Sequence, residues 1–142
     1  MSKFLCLLFC LIELVPSPHA EARWCSIVGK ADADTVKYPV IAVAARISGV
    51  VVSRLTFTPS GKVTAFEEIS GPKLLASTTG SQLREWTVKT DAQGEELCQA
   101  LVVIDYKLVA PDSNLRPGAY PRTPGILRIS VEAMPVLSAP MP

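Results

Sequence analysis

Residues 49–69 read GVVVSRLTFTPSGKVTAFEEI, and their pattern decides the fold. The first half is β-branched and aromatic, with Val51, Leu55 and Phe57 on one face and Arg54 and Thr56 on the other. That period of two is the signature of a strand with one buried face. Pro59-Ser60-Gly61 supplies the turn: proline fits its first corner, and a glycine takes the left-handed conformation that follows. Residues 62–69 then return as the partner strand. An antiparallel hairpin is therefore predicted at the centre of the chain.

Working outward, Ser70-Gly71-Pro72 punctuates the start of a helix in which Leu75, Thr79, Leu83 and Trp86 recur at spacings of four, four and three. Gly80 costs this helix about 1 kcal/mol relative to alanine and is expected to mark a close approach to the sheet. A loop at Asp91-Ala-Gln-Gly94 leads to a long strand over 97–108. Cys98, Ala100, Val102, Ile104, Tyr106 and Leu108 form its apolar face, and Gln99, Leu101, Val103, Asp105 and Lys107 its half-polar face. On the N-terminal side, Tyr38-Pro39 opens a run to Ile47, closed by Ser48-Gly49. Proline at the start and glycine past the end suit two turns of helix. Residues 23–37 carry no period and read as a lead-in.

Seven of the twelve prolines follow Val109, so the C-terminal quarter is not helical. Within it, residues 126–133 alternate, with Leu127, Ile129, Val131 and Ala133 on one side, and predict an extra strand. The fold class is α+β: a small antiparallel sheet with two helices in the order α-β-β-α-β, plus an extra C-terminal strand. The predicted divisions are 1–22, 23–37, 38–108 and 109–142.

The first division is read as a signal peptide. Lys3 precedes nine uninterrupted apolar residues, 4–12, and Ala20-Glu21-Ala22 offers a small-x-small cleavage site. Glu13 ends the run far short of the ~20 residues a membrane span needs, so no stable membrane anchor is expected. A buried N-terminal helix is the alternative. Cleavage after Ala22 would deliver a periplasmic or secreted protein and remove His19, the sole histidine, with Cys6 and Cys10. The 14 basic residues lose Lys3 and the 13 acidic lose Glu13 and Glu21, leaving 13 against 11 and a net charge of +2. So balanced a chain gives no case for nucleic acid.

A mature chain without histidine has no Ser-His-Asp triad, Cys-His dyad or imidazole zinc site. Glu67 and Glu68 are adjacent on a strand and point to opposite faces. Asp32 and Asp34 lack the glycine and the terminal glutamate of a calcium loop and read as solvated loop residues. No enzyme, metal or cofactor is expected. Cys25 and Cys98 remain, and an oxidising compartment allows them one connectivity, with unlinked buried thiols as the alternative. Trp86 is expected in the core, and Trp24 over the disulfide.

Several of these segments, taken in order, resemble the C-terminal domain of TonB energy transducers: Tyr38-Pro39, the valines after Gly49, Thr58-Pro-Ser-Gly61-Lys-Val, Ile69-Ser-Gly71, Leu74-Leu75 and Trp86. The resemblance spans about 38–108. It implies a domain that grips an extended peptide of an outer-membrane nutrient receptor by adding it as a strand beside its own last strand. Carried onto this chain, that edge is 97–108, with Gln99, Leu101, Val103 and Asp105 as the partner contacts. The chain departs from the family pattern in lacking a membrane helix and a long spacer before the domain. Its added strand can also pair against the same edge and close it. The second reading is therefore a secreted structural or interaction domain with a closed edge, forming a homodimer through its sheet.

Overall fold

The computed structural model describes residues 21–30, 36–111, 118–123 and 125–135. The predicted signal segment lies outside these residues except for Glu21 and Ala22, as do Asp32, Asp34 and the prolines after Pro135. Two helices and a mixed sheet make an α+β fold.

The described residues begin with two short strands, β1 (Arg23–Trp24) and β2 (Ile27–Lys30), where a patternless lead-in was expected. Helix α1 (Val40–Ala44) is one turn shorter than predicted. It closes at Arg46, which is left-handed at φ 52, with Ile47 N–H donating to Ala42 and Arg46 N–H to Val43. This is a Schellman closure with arginine where glycine is usual. Gly49 instead lets the chain pass Pro72, whose Cγ would sit 2.9 Å from any Cβ there.

The predicted hairpin forms β3 (Gly49–Phe57) and β4 (Val63–Ser70). Gly61 N–H donates to Thr58 at 2.8 Å and Thr58 N–H to the Lys62 carbonyl at 2.9 Å, closing the turn. Gly61 has φ +95, and a Cβ there would lie 1.8 Å from the Val88 carbonyl oxygen, so only glycine fits. Helix α2 (Lys73–Arg84) buries Leu75, Ala76, Thr79, Gly80 and Leu83. Gly80 faces Phe66 of β4, whose ring would meet a Cβ at 2.7 Å, which is the close approach the sequence implied.

After α2 come β5 (Val88–Thr90), β6 (Cys98–Leu108), β7 (Gly118–Thr123) and β8 (Ile126–Ala133). β5 pairs with β2 in a separate two-stranded sheet. The main sheet runs β4-β3-β6-β8-β7, with β1 on the same side of β6 as the C-terminal hairpin. It is not wholly antiparallel as expected. β6 pairs in parallel with β1 and with β8, the latter because the chain leaves β6, descends as β7 at the far edge and rises again as β8 in between.

One face of this sheet carries the core. Val51, Leu55, Phe57, Cys98, Ala100, Val102, Ile104, Tyr106, Leu127, Ile129 and Val131 are all buried in it with Leu75 and Leu83 of α2. Tyr106 ties three elements together: its hydroxyl shares a 2.7 Å hydrogen bond with Thr79, and its ring meets Tyr38 edge-on at 5.1 Å. The Tyr38 hydroxyl in turn donates to the Ile47 carbonyl. Burial pushes the pKa of both phenols up, although the Thr79 bond works the other way at Tyr106.

Candidate partner-binding surface

The resemblance placed peptide binding at an open edge of residues 97–108, and in the structure that edge is occupied. β3 pairs with β6 along one side from Cys98 to Tyr106. On the other side, Arg23 and Cys25 N–H donate to the Leu97 and Gln99 carbonyls, and β8 takes over from Leu101 to Leu108. Leu101 N–H donates to Gly125 and Val109 N–H to Ala133, so the cover runs without a gap across the junction of β1 and β8. The alternation after Gly125 carries the reason: Leu127, Ile129 and Val131 need a core, and the side of β6 gives them one.

Gln99, Leu101, Val103 and Asp105 nevertheless share a surface. They project at two-residue intervals from the sheet face opposite the core, and each is half-buried. The register builds that face in rows: Thr56, Gln99 and Trp24; then Glu67, Arg54, Leu101 and Ile126; then Val52, Val103 and Arg128; then Val50, Asp105 and Ser130. Trp24, Ile126, Leu101, Val103, Val52 and Val50 make a continuous apolar stripe through them. Val50 is 45% exposed and Trp24 55%, so the stripe is open to solvent.

Ion pairs frame the stripe. Arg54 meets Glu67 at 3.1 Å across β3 and β4, and Lys107 meets Asp105 at 3.0 Å along β6. Between Val50, Val103, Asp105, Lys107, Arg128 and Ser130 lies a shallow depression of about 440 Å³.

Among the described residues the edges of the main sheet are β4, β7 and the two-residue β1, which pairs only with β6. β4 carries two register irregularities against β3 and exposes Glu67 and Glu68, features that discourage a further strand from adding there.

The remaining predicted residues hold the scaffold. Pro39 is buried and its carbonyl accepts from Ala42 and Val43 to start α1. Trp86 is buried after α2, and its carbonyl faces the Val63 N–H. Cys25 and Cys98 form a disulfide, with Cα atoms 5.5 Å apart and both residues buried. Trp24 does not cover it. Consecutive strand residues point to opposite faces, so Cys25 enters the core while Trp24 stands on the open face beside Gln99. The sequence signal for this was the alternation of Cys25 and Ile27 around polar or exposed neighbours, too short to be convincing alone.

Among the described residues, no group of three or more His, Cys, Asp or Glu is placed to hold a metal, and no helix is long and apolar enough to cross a membrane. No family model, curated protein or solved structure matches the chain.

Proposed function

We propose that this chain is an exported, disulfide-stapled protein-interaction domain of TonB-like architecture that binds through the uncovered face of its sheet. Its partner is a second copy or another protein. Energy transduction and strand addition beside β6 are not part of this reading. The observation that carries it is the hydrogen bonding of β6 on both sides, which leaves Gln99, Leu101, Val103 and Asp105 facing outward rather than along an edge.

Magnitudes argue against a gate in which the tail swings away to admit a receptor peptide. Leu127, Ile129 and Val131 are each at least nine-tenths buried. Exposing them costs roughly 1.5–3 kcal/mol each, a total of about 5–9 kcal/mol before any ladder hydrogen bond is counted. A domain of this size has about 5–15 kcal/mol in all. Opening that edge is close to unfolding. Export is supported by the 4–12 apolar run with its Ala-x-Ala site, and by a disulfide that cytosolic conditions would not favour.

The test is a photo-crosslinking residue at Val103 in cells, with sedimentation of the purified protein. The reading expects one discrete adduct, with a second copy or a single other protein, that Val52→Lys abolishes without lowering the unfolding midpoint. An adduct that forms only after residues 118–135 are deleted would restore strand addition at β6 and overturn the reading. So would a monomer that captures nothing.

A further inference from the structure

The end of the open face around Trp24 differs from the rest. A shallow cavity of about 430 Å³ is lined there by Trp24, Arg54, Thr56, Glu67 and Gln99, together with Glu21 and Ala22. Its one aromatic wall is an indole left 55% exposed, whereas Trp86 is 7% exposed. Every side chain from β3, β4 and β6 that lines this cavity carries hydrogen-bonding groups, whereas the apolar stripe leaves the ring on its other side through Ile126 and Leu101.

The backbone that carries the ring is held in place on both sides. Arg23 and Cys25, on either side of Trp24, have their N–H groups bonded to β6, and Cys25 is fixed by the disulfide. Gly125 leaves room for the indole: a Cβ there would lie 3.3 Å from the Trp24 Cε3. An exposed indole on a fixed backbone gives a ligand an apolar platform at small entropic cost. Around it, Arg54 and Glu67 cancel each other's charge through their 3.1 Å contact, and once Glu21 leaves with the signal segment, as the export reading has it, no unpaired side-chain charge lines the cavity, so the site favours a neutral ligand. Gln99 and Thr56 add a carboxamide and a hydroxyl. Arg54 Nε is out of reach of solvent and has no hydrogen-bond partner, so a small turn of the guanidinium toward a ligand gains a bond.

A neutral ligand with one flat C–H face and a rim of hydroxyls matches this set. We infer that the Trp24 end of the sheet is a carbohydrate platform, taking the axial C–H face of a pyranose in a β-linked glycan, with Arg54, Glu67 and Gln99 bonding its equatorial hydroxyls. Gln99 belongs to both surfaces, so a glycan at Trp24 and a partner at Val103 would meet there, but neither contact is a premise of the other. On the export reading, Glu21 and Ala22 leave with the signal segment and widen the cavity.

Iodide quenching of tryptophan fluorescence tests it, because the exposed Trp24 dominates quenching and the buried Trp86 contributes little. Cellotetraose and chitotetraose are the probes, and sorbitol, a polyol without a ring face, is the control. At least one tetrasaccharide is expected to protect Trp24 saturably in the millimolar range, with sorbitol inert. Gln99→Ala and Arg54→Ala should each weaken the apparent affinity several-fold, read against each variant's own sugar-free quenching curve, because Arg54→Ala removes a cation beside the indole and lowers the access of the iodide anion. Gly125→Ala, which presses on the indole, should weaken it as well. Three results would overturn the inference: no protection by either tetrasaccharide, equal protection by sorbitol, or full affinity in both Arg54→Ala and Gln99→Ala. The Val103 adduct is expected to survive Trp24→Ala, so the two readings fail separately.

Discussion

Replacing the disulfide by Cys25→Ala with Cys98→Ala isolates what covalent closure contributes. The bridge joins residues 73 apart in sequence. On the chain-entropy model, closing a loop of that length stabilises the folded state by about 4 kcal/mol. The effect on the native state should concentrate on β1, which pairs with β6 at only two residues and has no other strand neighbour. Core volume changes little, since each side loses only a sulfur atom. Urea unfolding of the oxidised protein and the double variant should therefore differ by about 4 kcal/mol, equivalent to a fall in Tm of roughly 10–20 °C for a domain of this length. Amide exchange adds the spatial detail. The N–H of residue 25, bonded to the Gln99 carbonyl at 3.1 Å, should lose protection in the variant while the amides of residues 101–108 keep theirs. A difference below about 1 kcal/mol, with residue 25 still protected, would instead show that β1 is held by packing and ladder bonds alone.

Three further outcomes follow from single sites. Gly61→Ala puts a Cβ 1.8 Å from the Val88 carbonyl oxygen at φ +95, whereas Gly94→Ala at φ +98 meets nothing within 4 Å. Urea titration should show the second losing about 1 kcal/mol from backbone strain and the first losing at least twice that. Ser53 is fully buried in the sheet's core face and its hydroxyl has no hydrogen-bond partner. Ser53→Ala should leave stability unchanged or raise it by up to about 1 kcal/mol, and a clear loss would mean the hydroxyl is satisfied in solution. Alkaline pH acts through Tyr38 and Tyr106, both raised above the ordinary value of 10.0 by burial. The folded state then holds the phenolic protons more tightly than the unfolded chain. Their contribution is complete below pH 10 and is lost as pH climbs from there through the folded pKa values. Tyrosinate absorbance should lag a free-tyrosine titration and rise together with unfolding, and Tyr106→Phe should shrink the lag.

The parts of this fold legible in the sequence are those with local causes. The β3–β4 hairpin announced itself because turn chemistry and alternation agreed over more than twenty residues, and α2 because Leu75, Thr79 and Leu83 kept helical spacing around a glycine that meets Phe66. β8 was legible from Leu127, Ile129 and Val131. What the residues could not convey was where β8 goes, since parallel pairing with β6 depends on contacts far apart in sequence. β7 was hidden by Pro121, which reads as a strand breaker but is tolerated on an edge strand. β1 and β5 have two and three residues, too few for any period to appear. The candidate site shows the same division. Alternation along 97–108 correctly put Gln99, Leu101, Val103 and Asp105 on one face, but the change from edge strand to interior strand was made by two distant segments. Trp24 was misplaced because β1 itself was unseen.

Binding through the open face requires β6 to be an interior strand in the working protein. Native-state hydrogen exchange of residues 101–108 addresses this most directly, measured in low denaturant and compared with the amides of residues 127–131. If β8 is integral, both sets exchange only by opening with a free energy close to that of global unfolding. If instead residues 127–131 and 101–108 open together at a far smaller free energy while the β3–β4 hairpin stays protected, the C-terminal hairpin is a detachable cover. Strand addition beside β6 would then replace the open face as the mode of binding.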